Sequence, residues 1–271
     1  MRNLRFALVA FGAALLCLGL GTPSAVAEPE PDVSTMIIGG EEATEPYSFM
    51  VSLQKEPDGH FCGGSLIAAE WVVTALHCLD AGTKPEDVRL RIGSLNRGEG
   101  GSVRGAKRIV LNPEGNPGHF DIALVQLDAP VSNTPIPMDV RQSAGAPVRM
   151  LGWGCTAPSD IFFGCAGGRP TMLRQLDSAV RDSGECVSVT LPMEADHELC
   201  TGNPDTKAGA CIGDSGGPLI RRTADGWRLD GAFSRVEVRT DPHDVDCTTG
   251  LGIYTDVTVH KDWIESVISA A

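Results

Sequence analysis

The sequence predicts an all-β fold of the sandwich or barrel type, and two observations carry this prediction. Short runs rich in aliphatic and β-branched residues follow one another closely, and each is bounded by Gly, Pro, Asn or Asp, which favour turns. The chain also contains 32 glycines and 18 prolines, which suits a fold with many tight reversals.

The predicted strands and helices follow in chain order. The clearest strand-like runs cover residues 49–54, 90–95, 122–127, 147–153 and 252–257. Residues 182–189 are predicted to form a short helix. A helix is also predicted over 258–269, because apolar residues recur every four positions from Val259 to Val267 and Thr258 can cap the start.

Residues 1–27 are predicted to be a signal peptide, so the protein is expected to be secreted. Arg2 and Arg5 precede an uncharged apolar run, and Ala25-Val26-Ala27 supplies the small-residue cleavage pattern. The run is too short for a stable membrane span, and Cys17 within it is expected to be removed. Residues 28–36, which are acidic and contain proline, show no pattern that could pack.

The charge of the chain narrows the possible partners. Its formal net charge is −13 at pH 7. Nucleic acids and anionic membrane surfaces would both repel such a protein, so neither is expected as a partner.

The cysteines predict a disulfide framework, since eight remain once Cys17 is set aside and the chain is expected to be exported. Their spacing alone leaves the pairing open. Zinc is the alternative, but the sequence has no C-x-x-C or H-E-x-x-H pattern, so no metal and no other cofactor is expected.

Three short motifs carry candidate chemistry. The stretch GACIGDSGGPLI places Ser215 among four glycines. A serine hydroxyl needs an adjacent base, and the base needs a group that orients it. His77 follows the apolar run WVVTAL, and Asp121 stands where a polar loop enters the strand-like run IALVQL. A carboxylate buried there would need a partner such as an imidazole N–H.

The motifs TALHC, DIALVQL and GDSGGP, in this order and with IIGG upstream, resemble the trypsin/chymotrypsin-like serine proteases. The likeness runs from residue 37 to about residue 268, and the chain is identified as a secreted bacterial-type member. It implies a protease domain over residues 37–271, built from two packed six-stranded antiparallel β-barrels and a C-terminal helix. It also implies a protein or peptide substrate and a monomer.

The resemblance assigns roles to the motif residues. Ser215 would be the nucleophile, His77 its general base, and Asp121 the group that orients His77. The backbone amides of Gly213 and Ser215 would form an oxyanion hole. Asp214 would pair with the amine freed at Ile37, so a precursor would be activated by cleavage after Met36, by another protease or by itself.

The resemblance also implies the disulfides and the specificity pocket. It implies Cys62–Cys78, Cys186–Cys200 and Cys211–Cys247, and it leaves Cys155 and Cys165 as the remaining pair. Substrate-binding positions would be Gly209, Ala210, Ser234, Val236 and Gly252. Gly209 stands where an aspartate would select Arg or Lys, so the primary specificity is expected to be apolar, with Met or Leu favoured. Arg235 replaces a tryptophan that is common in the family.

Two other functions share some of these sequence features. A catalytically silent protease-like binding protein is the alternative, although all three candidate catalytic residues are present. A secreted esterase with a G-x-S-x-G turn would have the order Ser, acid, His, whereas this chain has His, Asp, Ser.

If the three residues act together, activity should rise as His77 loses its proton, at about pH 6–7. The other histidines, His60, His119, His197, His243 and His260, are predicted to be structural or on the surface.

Overall fold

The computed structural model describes residues 37–55, 59–79, 82–157, 165, 168–239 and 247–271. All of these belong to the unit Ser34–Ala271. The predicted signal peptide (1–27), the predicted propeptide (28–36), Cys17 and His243 lie outside the described residues.

The first barrel contains six antiparallel strands: β2 (Met50–Lys55), β3 (Gly59–Ala68), β4 (Trp71–Thr74), β5 (Arg89–Ile92), β6 (Ser102–Leu111) and β7 (Ala123–Leu127). They close in the order β2-β3-β4-β7-β6-β5. Aliphatic side chains such as Leu53, Leu66, Leu90 and Leu124 are fully buried and form its core. The run predicted over 90–95 ends at Ile92, because Gly93 takes φ +75° and leaves the strand path.

The second barrel contains β8 (Pro147–Gly152), β9 (Arg174–Arg181), β10 (Glu198–Gly202), β11 (Pro218–Thr223), β12 (Gly226–Val236) and β13 (Leu251–Asp256). The strands follow the order β9-β10-β13-β12-β11-β8, and pairing of β8 with β9 closes the barrel. The short strand β1 (Glu41–Glu42) adds to β9 at its edge. The two closed six-stranded barrels confirm the predicted chymotrypsin-like fold.

The helix α1 (Lys261–Ser269) follows β13 and buries Ile264 in the hydrophobic cluster that contains the core of the first barrel together with Ile220 and Leu229 of the second. It begins three residues later than the predicted cap position. Thr258 does not cap it, because the Thr258 hydroxyl and amide both donate to Asp256 Oδ1, at 2.6 and 2.9 Å. Val259 therefore precedes the helix and is exposed. No helix among the described residues has the length and apolar character needed to cross a bilayer.

The helix predicted over 182–189 was wrong in extent. Only a single 3₁₀ turn, Ser183–Glu185, forms there. Cys186 follows at once with φ −86° and ψ 89°, and its disulfide to Cys200 attaches the chain to β10. These dihedral angles lie outside the helical region, so the helix does not continue past the 3₁₀ turn.

All four implied disulfides are present, and the prediction of the framework is confirmed. They join Cys62 to Cys78, Cys155 to Cys165, Cys186 to Cys200 and Cys211 to Cys247. The first fastens the turn after β4 to β3, and the last fastens the segment before β11 to the segment before β13.

Candidate active site

His77 lies in a 3₁₀ turn, Leu76–Cys78, directly after strand β4. Its Nδ1 is 2.7 Å from Oδ2 of Asp121, and its backbone amide donates to Oδ1 at 2.9 Å. A carboxylate only accepts hydrogen bonds, so the bonded nitrogen Nδ1 carries the proton. The neutral ring then presents Nε2 as an acceptor, which is the form that a general base requires.

Asp121 is buried, and its carboxylate accepts from a third residue. The hydroxyl of Ser234, on β12 of the second barrel, donates to Oδ2 at 2.7 Å. Burial raises the pKa of the Asp121 carboxyl, but the hydrogen bonds and charge of His77 and the bond from Ser234 outweigh it, so the pKa lies below its ordinary value. Asp121 is therefore held as a carboxylate.

The residue before Asp121 has a left-handed backbone. Phe120 takes φ +45°, a conformation that is uncommon for a bulky residue. Its ring packs against three imidazoles, with centroids 4.0 Å from His119, 4.4 Å from His197 and 5.3 Å from His260. These histidines, predicted to be structural or on the surface, hold the strained turn that delivers Asp121 to His77.

Ser215 lies on the turn that precedes β11, and this turn packs against the first barrel. The amide of Gly63, on β3, donates to the carbonyl oxygen of Ser215 at 2.7 Å. Gly216 follows with φ +72°, and any Cβ there would collide with the Thr74 hydroxyl and the Gly63 carbonyl. Because Thr74 ends the strand that leads to His77, the Ser215 turn lies against the end of the strand that precedes His77.

The neighbouring residue Gly213 has φ +96°, which requires glycine. The carbonyl of Ile212 accepts from the amide of Cys155 at 2.8 Å. In a trans peptide the C=O and N–H point in opposite directions, so this bond aims the Gly213 N–H away from Cys155. The carbonyl of Gly213 is bonded by His60 Nε2 at 3.0 Å. Both peptide groups that flank Gly213 are therefore fixed.

His60 is the main supporting residue that sequence reasoning missed. A carbonyl only accepts, so Nε2 of His60 carries the proton, and Nδ1 accepts from the Ser52 hydroxyl at 2.8 Å. Burial lowers the pKa of His60 to about 3. Nothing in the sequence around His60 distinguished it from a surface histidine, since its partners lie on β2 and on the loop before Ser215.

Replacement of His60 by Gln should make the unfolding free energy depend less steeply on pH between about 6.5 and 3. As the pH falls from about 6.5 towards 3, unfolded His60 binds a proton that the buried, folded ring refuses. The native chain should therefore lose up to about 1.4 kcal/mol of unfolding free energy per pH unit in this window through His60. Above pH 6.5 this contribution is fully present.

The measurement is urea unfolding at several pH values, with Ser215→Ala in both proteins to prevent self-digestion. Groups other than His60 titrate in both, so the difference in slope isolates His60. Equal slopes from pH 6.5 to 3.5 would show that His60 is not buried as a neutral ring.

Ile37 is buried in the hydrophobic cluster that also contains Cys155 and Cys211. The Ile38 carbonyl accepts from the Gly209 amide at 3.0 Å. Asp214 is buried next to this cluster, with its oxygens bonded by the amides of Gly154 at 2.7 Å and Cys211 at 2.9 Å. Burial raises the pKa of Asp214 to about 6, against the lowering effect of these amides and of the charge of Arg169.

A cavity of about 290 Å³ lies beside Ser215. Its lining is mainly apolar and includes Leu191, Ile212, Phe233, Val236 and Val238, together with Ser188, Thr190, Cys211, Ser234 and Arg235. Of the predicted substrate-binding residues, Ser234 and Val236 line it. Gly209, Ala210 and Gly252 are not part of this lining as far as the structure describes the chain, and their contact with a substrate stays a prediction.

A larger cavity of about 630 Å³, around Phe49, Ile136 and Trp227, includes none of the predicted site residues.

Arg235 does not present a free charge to this cavity. Its two terminal nitrogens bind the two carboxylate oxygens of Glu198, at 2.5 and 3.0 Å. Nη2 also donates to the carbonyls of Leu191 and Pro192, at 3.2 and 3.3 Å. The side chains of Arg235 and Glu198 are 12% and 2% exposed, so the carboxylate is buried, the guanidinium is largely buried, and the two charges neutralise each other.

Comparison of the sequence with known proteins identifies the family. The family profile described as Trypsin matches residues 37–264. The chain belongs to the trypsin family of serine proteases. Mannan-binding lectin serine protease 1 of Homo sapiens is 30% identical over 258 residues, which is 84% of this chain and 34% of that protein. This member of the trypsin family therefore spans about a third of the length of that relative.

Proposed function

We propose that the protein is a secreted serine endopeptidase that uses His77, Asp121 and Ser215. The observation that carries this proposal is the His77–Asp121 pair, with the proton on Nδ1 and a buried carboxylate behind it. It stands at the strand ends against which the Ser215 turn packs. Membership of the trypsin family supports the same reaction and implies protein substrates.

In the proposed reaction Nε2 of His77 takes the proton of the Ser215 hydroxyl as its oxygen attacks the scissile carbonyl. The amides of Gly213 and Ser215 stabilise the oxyanion that develops. The imidazolium, stabilised by Asp121, then protonates the leaving amine, and water hydrolyses the acyl-enzyme by the same steps.

The proposed primary specificity is for uncharged, apolar side chains of medium size, such as Met or Leu. The apolar lining of the cavity beside Ser215 and the neutralised charge of Arg235 support it. A buried carboxylate that would attract Arg or Lys is absent from the described lining of this cavity.

Further proposals concern the precursor and the setting. The protein is made with a signal peptide (1–27) and a propeptide (28–36), is activated by cleavage after Met36, and acts as a monomer outside the cell. The buried positions of Ile37 and Asp214 support the activation step. The assignment to a bacterial-type member stays a prediction, since the relative described above is human.

A peptide library offered to protein that begins at Ile37 tests the function, with Ser215→Ala as the control. We expect cleavage after Met or Leu, and a loss of roughly 10⁶-fold in kcat in the control, because the triad acts as a unit. Cleavage after Arg or Lys would keep the mechanism and overturn the specificity. No cleavage by folded, correctly processed protein would favour the catalytically silent binding protein.

A further inference from the structure

Arg169 lies between the disulfide Cys155–Cys165 and strand β9, and its side chain reaches the loop before Ser215. Nη1 donates to the carbonyl oxygen of His60 at 2.7 Å. Nε and Cδ of Arg169 lie next to the Cα of Gly213, since a Cβ built on Gly213 would lie 2.9 Å from Nε and 3.4 Å from Cδ. Arg169 therefore touches both the candidate oxyanion glycine and the backbone of the histidine that bonds its carbonyl.

A second arginine fixes the backbone from which Arg169 extends. Nε of Arg97, in the connection between β5 and β6, donates to the carbonyl of Pro170 at 2.8 Å. The amide of Arg97 donates to the carbonyl of Thr171 at 3.0 Å, and the Arg97 carbonyl accepts from Gln54 at 2.6 Å. The position of Arg169 is thus set by the first barrel.

These contacts converge on a residue that needs restraint. Glycine adopts positive and negative φ with similar ease, so the peptides around Gly213 would reorient at little cost if nothing held them. Cys155 holds the peptide before Gly213 and His60 holds the one after it. The side chain of Arg169 packs next to the Cα of Gly213, on the side that these two hydrogen bonds leave open.

We propose that Arg169 is a positioning residue for the reaction, which keeps the Gly213 amide aimed at the substrate carbonyl. This inference rests on the proposed function. It is distinct from substrate binding, because Arg169 acts through Gly213 and His60 and not through the bound peptide.

The charge of Arg169 adds an electrostatic effect on Asp214. The groups that act on the Asp214 carboxylate are the amides of Gly154 and Cys211, the charge of Arg169 and the hydroxyl of Tyr254, with the amine of Ile37 added in processed protein. Burial raises the pKa of Asp214, and Arg169 opposes this rise. Loss of Arg169 should therefore let Asp214 take up a proton at higher pH.

The test compares Arg169→Gln and Arg169→Lys in protein that begins at Ile37, with Arg222→Gln as the matched control. Arg222 is an exposed arginine on β11, paired with Glu45. We expect Arg169→Gln to lower kcat about 10-fold or more with KM nearly unchanged, since small misplacement of a catalytic group is costly. A peptidyl boronate, which forms a tetrahedral adduct on the serine, should bind more weakly by the same factor. On the acidic side of the pH–rate profile (its acid limb), the cleavage rate should begin to fall at a higher pH than in the parent protein.

The conservative variant and the control separate this role from a merely structural one. Arg169→Lys keeps the charge, so it should restore the acid limb and part of kcat. Arg222→Gln should change neither. If Arg169→Gln does not fold, Arg97→Gln, which loosens the same segment, should show the same fall in kcat.

Three results would overturn the proposal. They are an unchanged kcat in Arg169→Gln and Arg97→Gln, a raised KM with unchanged kcat, or a boronate affinity equal to that of the parent. The second would make Arg169 a contact for the substrate. If the parent protein itself cleaves no peptide, the proposed function fails first, and this outcome is seen before any variant is made.

Discussion

Protein that begins at Ile37 is expected to cleave peptides about 10²- to 10³-fold faster than protein that keeps residues 28–36. The proposed activation forms a buried ion pair between the new amine of Ile37 and Asp214. Loss of one partner of such a pair costs about 3–5 kcal/mol, and each 1.4 kcal/mol is a factor of ten. Asp214 directly follows Gly213, so the pair and the oxyanion amide depend on one turn.

The comparison uses one peptide substrate, with the two forms purified separately. Asp214→Asn in the protein that begins at Ile37 should reduce its rate to that of the precursor, because Asn cannot form the ion pair. Full activity in protein that retains residues 28–36 would refute the activation step. A Ser215→Ala precursor that still loses these residues when pure would exclude self-processing.

Replacement of Glu198 by Ala should destabilise the protein by about 3–5 kcal/mol, because it leaves the guanidinium of Arg235 buried and unpaired. Glu198 also accepts from the amide of Glu194 at 2.8 Å, and this bond would be lost as well. Thermal or urea unfolding of Ser215→Ala protein, with and without Glu198→Ala, measures the effect. Arg235→Met together with Glu198→Met should recover most of the loss, since an apolar pair leaves no buried charge.

The control for this experiment is the exposed pair of Lys261 and Glu265, on the last helix. Exposed pairs contribute little, so Glu265→Ala should change the unfolding free energy by less than about 1 kcal/mol. If Glu198→Ala proves as mild as Glu265→Ala, the charges of Arg235 and Glu198 are not desolvated as the structure indicates.

Local patterns predicted the parts of the molecule that local residues determine. The positions of five strands, β2, β5, β7, β8 and β13, followed from apolar runs between turn residues. The candidate catalytic residues followed from three motifs. The start of the last helix was wrong because Thr258 bonds to Asp256, and two acceptable local patterns competed there. Cap propensity alone does not decide such a competition.

Contacts between residues that are far apart in the sequence could not be predicted from local patterns. His60 bonds the carbonyl of Gly213 across 153 positions of sequence, and Arg169 bonds the carbonyl of His60 across 109. Arg235 stands where the family commonly has a tryptophan, and its partner Glu198 lies 37 residues away. The ring of the left-handed Phe120 packs against two imidazoles from other segments, His197 and His260, besides its own neighbour His119. No spacing rule connects these residues, because tertiary packing brings them together.

The first and last elements of the described chain each contact the barrel to which they do not belong in sequence. β1, at the start of the described chain, pairs with β9 of the second barrel, whereas α1 buries Ile264 in the cluster that contains the core of the first barrel. All four disulfides lie within one half or the other. Cleavage of one peptide bond in the connection between β7 and β8 would thus yield two fragments. The pairing of β1 with β9 and the packing of α1 would hold these fragments together. The scaffold is suited to a split enzyme, in which reassociation of the fragments rebuilds the active site.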